Sequence, residues 1–407
     1  MKIGKNGFFH LTYCSNIHPG ETWVEVSNNI KKYVPVLKTH FAPNNPFGIG
    51  LRLSNQAANE LLQGSELANF KNWLIENQCY VFTINGFPYG GFHHTRVKEE
   101  VYAPDWLTTA RRDYCLNLVK ILAELTPPHG ESGFSTTPLS YKPWVETSDE
   151  KEIIFQTATL FLCQIVAEMV AIYHHTGKFL HIDIEAEPDC LIETVDEAVE
   201  FFKQWLIPVG APYLATLLHI SAARAEKYLY HHVQVCYDIC HSSVEFEEPA
   251  YVFKRLAEAG IRIGKIQISA ALKSKLNNNI GSRKIIAKHL AQFLDRTYLH
   301  QVVEHYTDGS LHHFTDLNLA LKHLDMPQID ELRTHFHVPI FLDNYQTLQS
   351  TQHDVRNVLK LIQKNKATHH LEIETYTWEV LPSKLKLDIV SSIEREYEWV
   401  LQQFQPA

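Results

Sequence analysis

Cysteine is scarce in this chain and poorly spaced for covalent or metal work. Seven are scattered at positions 14, 79, 115, 163, 190, 236 and 240, an odd number with no C-x-x-C pair. That excludes a disulfide scaffold and a cysteine-based structural zinc site, and it suits a reducing, cytoplasmic setting. Positive charge is also short: 37 Lys and Arg stand against 46 Asp and Glu, a formal charge of −9. A broad phosphate-gripping surface needs the opposite balance, so no nucleic-acid partner is expected, although a small anionic substrate could still sit in a locally basic pocket. No G-x-G-x-x-G follows a strand, which removes the dinucleotide fingerprint. Neither a Pro/Ser-rich linker nor an internal repeat divides the chain, so residues 1–407 read as one domain. The opening stretch, MKIGKNGFFHLTYCSN, has too few apolar residues before His10 for a signal-peptide core. One apolar run, IIFQTATLFLCQIVAEMVAIY (153–173), has the length of a membrane span. It carries Gln156, Gln164 and Glu168, and charge inside a span is costly, so a long helix packed on a sheet is expected and no membrane insertion.

What the chain has in quantity is histidine, 24 in all. Imidazole is the commonest metal ligand, which prompts a search for a metal site. Eight short β-branched or aromatic runs also recur, most followed by a helical stretch. They are GFFHLTY (7–13), FGIGLRL (47–53), CYVFTING (79–86), SGFSTTP (132–138), GKFLHIDIEAEP (177–188), HVQVCYDICH (232–241), IRIGKIQIS (261–269) and HHLEIETYTW (369–378). Such alternation means parallel strands joined by crossover helices, and eight units predict a closed (β/α)8 TIM barrel. About a hundred residues between the seventh and eighth strands, roughly 272–366, are an insertion with strand-like pieces YLHQVVEHY (298–306) and RTHFHVPIFLD (333–343).

In such a barrel, residues at the C-terminal ends of the strands converge on one mouth. Strand five ends in HIDIEAEP, which sets Asp183, Glu185 and Glu187 in one direction because side chains alternate. Strand six ends with Asp238 and His241, and strand eight offers Glu372 and Glu374. Several carboxylates aimed into one barrel must be compensated by protons or a cation. Asp183 and Glu372, lying deeper, are expected to pair with interior cations such as Arg52 or Lys265. Glu185, Asp238 and Glu374, near the last turn of each strand, are expected to bind a divalent metal, Mg, Mn or Zn.

These strand ends resemble the xylose isomerase-like TIM barrels, which include sugar (phosphate) isomerases and epimerases and the endonuclease IV-type nucleases. LTYCSNIHPGETW, FTINGFPYGGFHHTRVKEEVYAPDW, DICHSSVEFEEP, RTHFHVPIFLD and LEIETYTWEVLP, spread over residues 11–382, are similar to the EboE metabolite traffic protein family. The resemblance implies a metal held by Glu185, Asp238 and Glu374, with Gln267 standing where a strand-seven histidine is expected. It also implies that His335 and His337, two apart on a strand-like piece, complete that metal or hold a second.

The implied chemistry is Lewis-acid isomerisation or epimerisation of a sugar- or cyclitol-like, possibly phosphorylated, metabolite. Glu185 and Glu374 are then the acid–base pair, and His241 orients a substrate hydroxyl. The loop NGFPYGGFHHTRVKEEVYAPDW (85–106) is expected to contribute Asn85, His93, Arg96 and Lys98 to the substrate, with His94 also a candidate; His18 and Lys142 are further candidates. Multi-metal phosphoester hydrolysis, drawing on His10, His18, His335 and His337, is the competing enzymatic reading. A non-catalytic metabolite-binding protein working with partner proteins of the same pathway is the third.

Overall fold

The computed structural model describes residues 1–93, 97–379, 381 and 388–405. Each of the eight runs forms a strand where the alternation requires one. Seven come in succession: β1 (Phe9–Tyr13), β2 (Phe47–Arg52), β3 (Cys79–Asn85), β4 (Glu131–Thr136), β5 (Phe179–Glu185), β6 (Val233–Asp238) and β7 (Ile263–Ile268). A second sheet intervenes, made of β8 (Ala270–Lys275), β9 (Val302–Tyr306), β10 (Leu311–Phe314), β11 (Ile329–Val338), β12 (Asn344–Tyr345) and β13 (Leu348–Ser350). The last barrel strand, β14 (His370–Ile373), follows it. Around the barrel the order is β1-β14-β7-β6-β5-β4-β3-β2, all parallel, with a two-residue strand, Lys2–Ile3, antiparallel beside β1. This is an α/β barrel of eight parallel strands.

The ring closes between β1 and β2 without a full ladder. A single parallel bridge joins Cys14 to Gly50. Two buried hydroxyls add to it: Thr12 accepts from the Gly50 amide at 2.8 Å and donates to the Gly48 carbonyl at 3.0 Å, and Ser15 accepts from the Arg52 amide at 2.8 Å. Side chains here satisfy backbone groups that a neighbouring strand would otherwise serve.

Helices cover the outside, and several begin with a threonine three residues before a glutamate. Thr22/Glu25, Thr147/Glu150 and Thr194/Glu197 each form a capping box, opening Trp23–Phe41, Ser148–Thr176 and Val195–Phe201. Ser148–Thr176 is long and apolar enough to cross a membrane, and half of its most apolar window is buried in the fold. Ile154, Ala158, Leu162, Ile165 and Met169 lie in the core shared with the barrel.

The barrel interior carries charge. Lys265 Nζ lies 2.6 Å from Glu372 Oε2, both side chains fully buried. Burial opposes the ammonium, but Glu372, Cys236, Glu185 and Cys14 together hold the Lys265 pKa above its ordinary value. Asp183 pairs instead with His181, whose Nδ1 is 2.6 Å from Oδ1. Arg52 does not enter this layer, contrary to the sequence expectation. Its guanidinium turns to the rim and binds Glu21 and the carbonyls of Gly20 and Gly90. Space for the interior charges comes from glycine: a Cβ on Gly50 would stand 2.3 Å from Glu372 Oε1, and one on Gly264 would stand 1.9 Å from Asp183 Oδ1.

The second sheet runs β10-β9-β11-β8-β13-β12, antiparallel throughout. Only Ser269 separates β7 from β8, so this sheet grows straight out of the mouth end of barrel strand seven. It occupies residues 270–350, less than the expected 272–366. Gln352–Asn365 returns to the barrel as its last crossover helix, burying Val355, Val358, Leu359 and Ile362 at helical spacing.

Replacing Lys265 with Met strands the Glu372 carboxylate in the interior. Urea unfolding should show a loss of about 3–5 kcal/mol, and the double variant Lys265→Met/Glu372→Met should recover most of it. A double variant no more stable than the single one would contradict this account.

Candidate metal centre

Asp238 ends β6 and caps the short helix Ile239–Val244, accepting from the His241 amide at 2.9 Å. The Asp-x-x-His spacing is therefore a helix N-cap, and the cap aims the imidazole of His241 across the mouth. Glu185 ends β5, Glu187 follows two residues later, and Glu374 lies one residue beyond β14. From the second sheet, β11 contributes His335 and His337, which share a face because strand side chains alternate. Pairing of Val338 with Ala270 lays that strand over the end of β7.

These side chains meet. Single ligand atoms of Glu185, Asp238 and Glu374 lie within 4.8 Å of one another, as do those of Asp238, His241 and His337, and those of Glu187, His241 and His335. His241 Nε2 stands 3.5 Å from Glu187 Oε2 and 3.8 Å from Asp238 Oδ1. Five of these seven residues are at most 4% exposed, and the other two, Glu187 and His335, at most 6%.

The imidazoles are held in a common manner. His241 Nδ1 faces the Ala186 carbonyl at 2.9 Å, His335 Nδ1 faces Gln301 Oε1 at 2.8 Å, and His337 Nδ1 faces the Glu374 carbonyl at 2.9 Å. A carbonyl oxygen can only accept, so each Nδ1 carries a proton and each Nε2 is turned to the mouth. Tethering the far nitrogen in this way is how proteins orient metal-binding histidines. His335 Nε2, His337 Nε2, Glu185 Oε2, Asp238 Oδ2 and Glu374 Oε2 are all buried with no hydrogen-bond partner. Orphaned buried ligand atoms pointing together are what a cation would satisfy. The donor set, carboxylate oxygens and imidazole nitrogens, fits a divalent ion.

Protonation states report the same crowding. Burial pushes Glu185 up to about 8, with Asp238 and Glu187 adding to the shift while His241 and Lys265 oppose it. Burial, followed by Glu185 and Asp238, drives Glu374 well above the carboxylate range. Burial also lifts Glu187 to about 7. Asp238 goes the other way: burial is outweighed by His241 and His337 and by bonds from the His241 amide and Ser269. For His241 the surrounding carboxylates overcome burial and raise it to about 9.

Other expected residues fall in different places. Asn85 lies in the site and donates to Glu374 Oε1 at 2.8 Å. Asn16 donates to the same oxygen at 2.8 Å, a residue that sequence reasoning missed although it follows directly on β1. Gln267 is not brought to the ligand group. It sits deeper, its Oε1 accepting from Cys236 Sγ at 3.1 Å, while Ser269, one alternation further along, reaches Asp238 Oδ1 at 2.8 Å. His93 backs the site, with Nε2 2.5 Å from the Asn16 carbonyl. Lys98 and Lys142 are not free to meet a substrate phosphate: Lys98 is paired with Asp316 at 2.7 Å, and Lys142 with Glu193 and Glu197. Arg96 and His94 lie outside the described residues. Among the histidines of the hydrolase reading, His10 pairs with Tyr80 at the opposite end of the barrel and His18 bonds Tyr13 and stacks on Tyr33.

Above the ligands, Phe87, Phe92 and Tyr376 cover a cavity of about 40 Å³. Phe92 packs on Tyr298 and Tyr376 with ring centroids 5.2 and 5.1 Å away.

No family model matches the chain, and no curated protein matches it in sequence. Among solved structures it is similar to a xylose isomerase-like TIM barrel protein from Mycobacterium smegmatis in complex with magnesium (TM-score 0.51, 11% identity, 97% of this chain and 96% of that one). Further likenesses are to the IolI protein with a bound zinc atom (TM-score 0.44, 11% identity, 98% and 100% covered) and a xylose isomerase domain-containing protein from Salmonella typhimurium (TM-score 0.42, 11% identity, 99% and 99% covered). At such identities the likeness establishes the fold.

With no cation bound, burial and then the neighbouring Glu185 and Asp238 oppose the ionised form of Glu374, so Glu374→Gln should stabilise the metal-free protein near neutral pH. Each pKa unit of that shift corresponds to about 1.4 kcal/mol. Urea unfolding in chelator should show the gain; an unchanged or lower midpoint would mean that the carboxylates do not interact as the geometry requires.

Proposed function

We propose that this chain is a metal-dependent isomerase or epimerase acting on a sugar- or cyclitol-like metabolite. The supporting observation is the group Glu185, Asp238 and Glu374, delivered by three barrel strands with ligand atoms within 4.8 Å and one orphaned oxygen each. His337 Nε2 would complete the set in place of the imidazole that strand seven lacks. Three carboxylates with one imidazole suit Mn²⁺ or Zn²⁺ better than Mg²⁺. When bound, such an ion supplies Lewis-acid stabilisation of negative charge developing on a substrate oxygen.

The protein groups supply the remainder. Glu185 and Glu374 flank the site from β5 and β14, with β6 and β7 between them. Both carboxyls are raised in pKa, so one can hold a proton near neutrality while the other accepts one, as proton transfer at a carbon requires. Asn16 and Asn85 fix Glu374 through one oxygen and leave the other facing the site. His241 orients a substrate hydroxyl. The aromatic cover excludes water. A cavity of about 40 Å³ has room for an ion and a water or two, so a metabolite enters by displacing that cover. The similarity of five sequence segments to the EboE family supports a place in metabolite biosynthesis or export, alongside partner proteins of that pathway.

A two-metal phosphoester hydrolase is the second reading, and a specific observation favours it. Glu187, His241 and His335 form a further ligand triad beside the first.

Metal-reloaded protein incubated in D2O with aldoses, ketoses, oxidised cyclitols and their phosphates should place deuterium on the carbon next to the carbonyl. Glu185→Gln should lower that rate by about 100-fold or more. Two ions per chain with phosphate release and no exchange would favour the second reading, and an absence of any metal would remove both. Separately, Glu374→Gln should lose the ion of this site while thermal unfolding in chelator stays cooperative; full metal retention would exclude the ligand set.

A further inference from the structure

Outside that centre, a further group of buried carboxyls lies at the seam between the barrel and the second sheet. Glu193 sits in the loop after β5, just before the helix Val195–Phe201. Glu245 follows the short helix Ile239–Val244, and His313 projects from β10. Ligand atoms of the three lie within 4.8 Å of one another. His313 Nδ1 stands 3.6 Å from Glu193 Oε1 and 3.7 Å from Glu245 Oε2, too far for hydrogen bonds. Ligands bound at about 2.1 Å to a tetrahedral zinc stand about 3.4 Å apart, which is close to these separations.

A second observation is independent of that spacing. The Glu245 side chain is only 2% exposed, and its Oε1 is buried with no hydrogen-bond partner. Asp189 Oδ2 is in the same condition. Glu197 and Glu247 are accounted for, since both bond backbone amides at the start of the helix Val195–Phe201. Lys142 is the ammonium bound to Glu193 Oε2, and it also meets Glu197; Glu193 Oε1 accepts from the Asp189 amide at 2.9 Å and faces His313. The carboxyls of Asp189, Glu193, Glu197 and Glu245 thus share one ammonium in a largely buried place. Isolated buried anions are too costly to leave so.

We propose that Glu193, Glu245 and His313 bind a divalent cation of the Zn²⁺ or Mn²⁺ class, separate from the mouth centre and sharing no ligand with it. An imidazole ligand disfavours Ca²⁺ and Mg²⁺. The ion would fasten β10 to the barrel. Because β10 pairs with β9 and β9 with β11, it would hold the strand that carries His335 and His337. Its role is positioning: it touches no reacting atom.

Full-length protein carrying Asp238→Asn, His335→Ala and Glu374→Gln, which take a ligand from every candidate group at the mouth, is stripped with chelator. It is then loaded with Zn²⁺, passed through gel filtration and assayed for zinc by mass spectrometry. One ion per chain is expected in this background, falling to none when His313→Ala or Glu245→Gln is added. His313 is on the surface, so its loss leaves the fold intact, as circular dichroism will confirm. Zinc should also slow protease cleavage of the turn between β9 and β10, and His313→Ala should remove that protection. Zinc content that is zero in the background, or unchanged by His313→Ala, overturns the proposal whatever the mouth centre does.

Discussion

Anions buried without counter-charge are the constraint on which this structure depends. Within one barrel the chain places Asp183, Glu185, Asp238, Glu372 and Glu374, all at most 3% exposed. Each of the deeper two has a resident partner, His181 for Asp183 and Lys265 for Glu372. Of the upper three, two share the His241 imidazole, 3.8 Å from Asp238 Oδ1 and 4.0 Å from Glu185 Oε1, and each of the three keeps an oxygen with no hydrogen-bond partner among the described residues. This division follows from position. Side chains low in the barrel have a fixed interior cation within reach, whereas those at the rim are left for something that arrives from solution. Stability is sacrificed at the mouth in exchange for binding capacity, as in many sites where a protein breaks its own packing rules.

The second sheet changes the mouth. A plain barrel would leave the end of strand seven to a short loop. Here the strand continues past Ser269 into β8, and its antiparallel partner β11 returns two imidazoles over the carboxylates. Candidate ligands therefore come from both the barrel and the insertion, and they meet only where the two are docked. Of the three Nδ1 tethers, the one from His337 to the Glu374 carbonyl crosses that seam, so docking fixes the orientation of that ring.

Much of this was legible in the sequence because strands announce their direction. Alternation identified all eight barrel strands and placed Glu185, Asp238 and Glu374 at their ends, since the side-chain period fixes which residues share a face. What stayed hidden depends on layer height and long-range pairing. Gln267 is the register partner of Asp238, yet it is the hydroxyl of Ser269, just past the end of β7, that reaches the Asp238 carboxylate. Asn16 lies in a loop whose course is set by Glu374, 358 positions away. Lys98 and Lys142 looked free as isolated basic residues. Their partners, Asp316 for one and Glu193 for the other, come from distant segments that no local pattern connects.

The join between β1 and β2 has a mechanical meaning. Elsewhere around the ring, neighbouring strands are stitched by runs of amide–carbonyl pairs, but here one bridge and the hydroxyls of Thr12 and Ser15 carry the junction. A cylinder yields first where its staves are least bound. Solvent and thermal strain will therefore work into the wall beside Thr12, and that edge, rather than the richly laced opposite side, sets how readily the whole vessel unrolls.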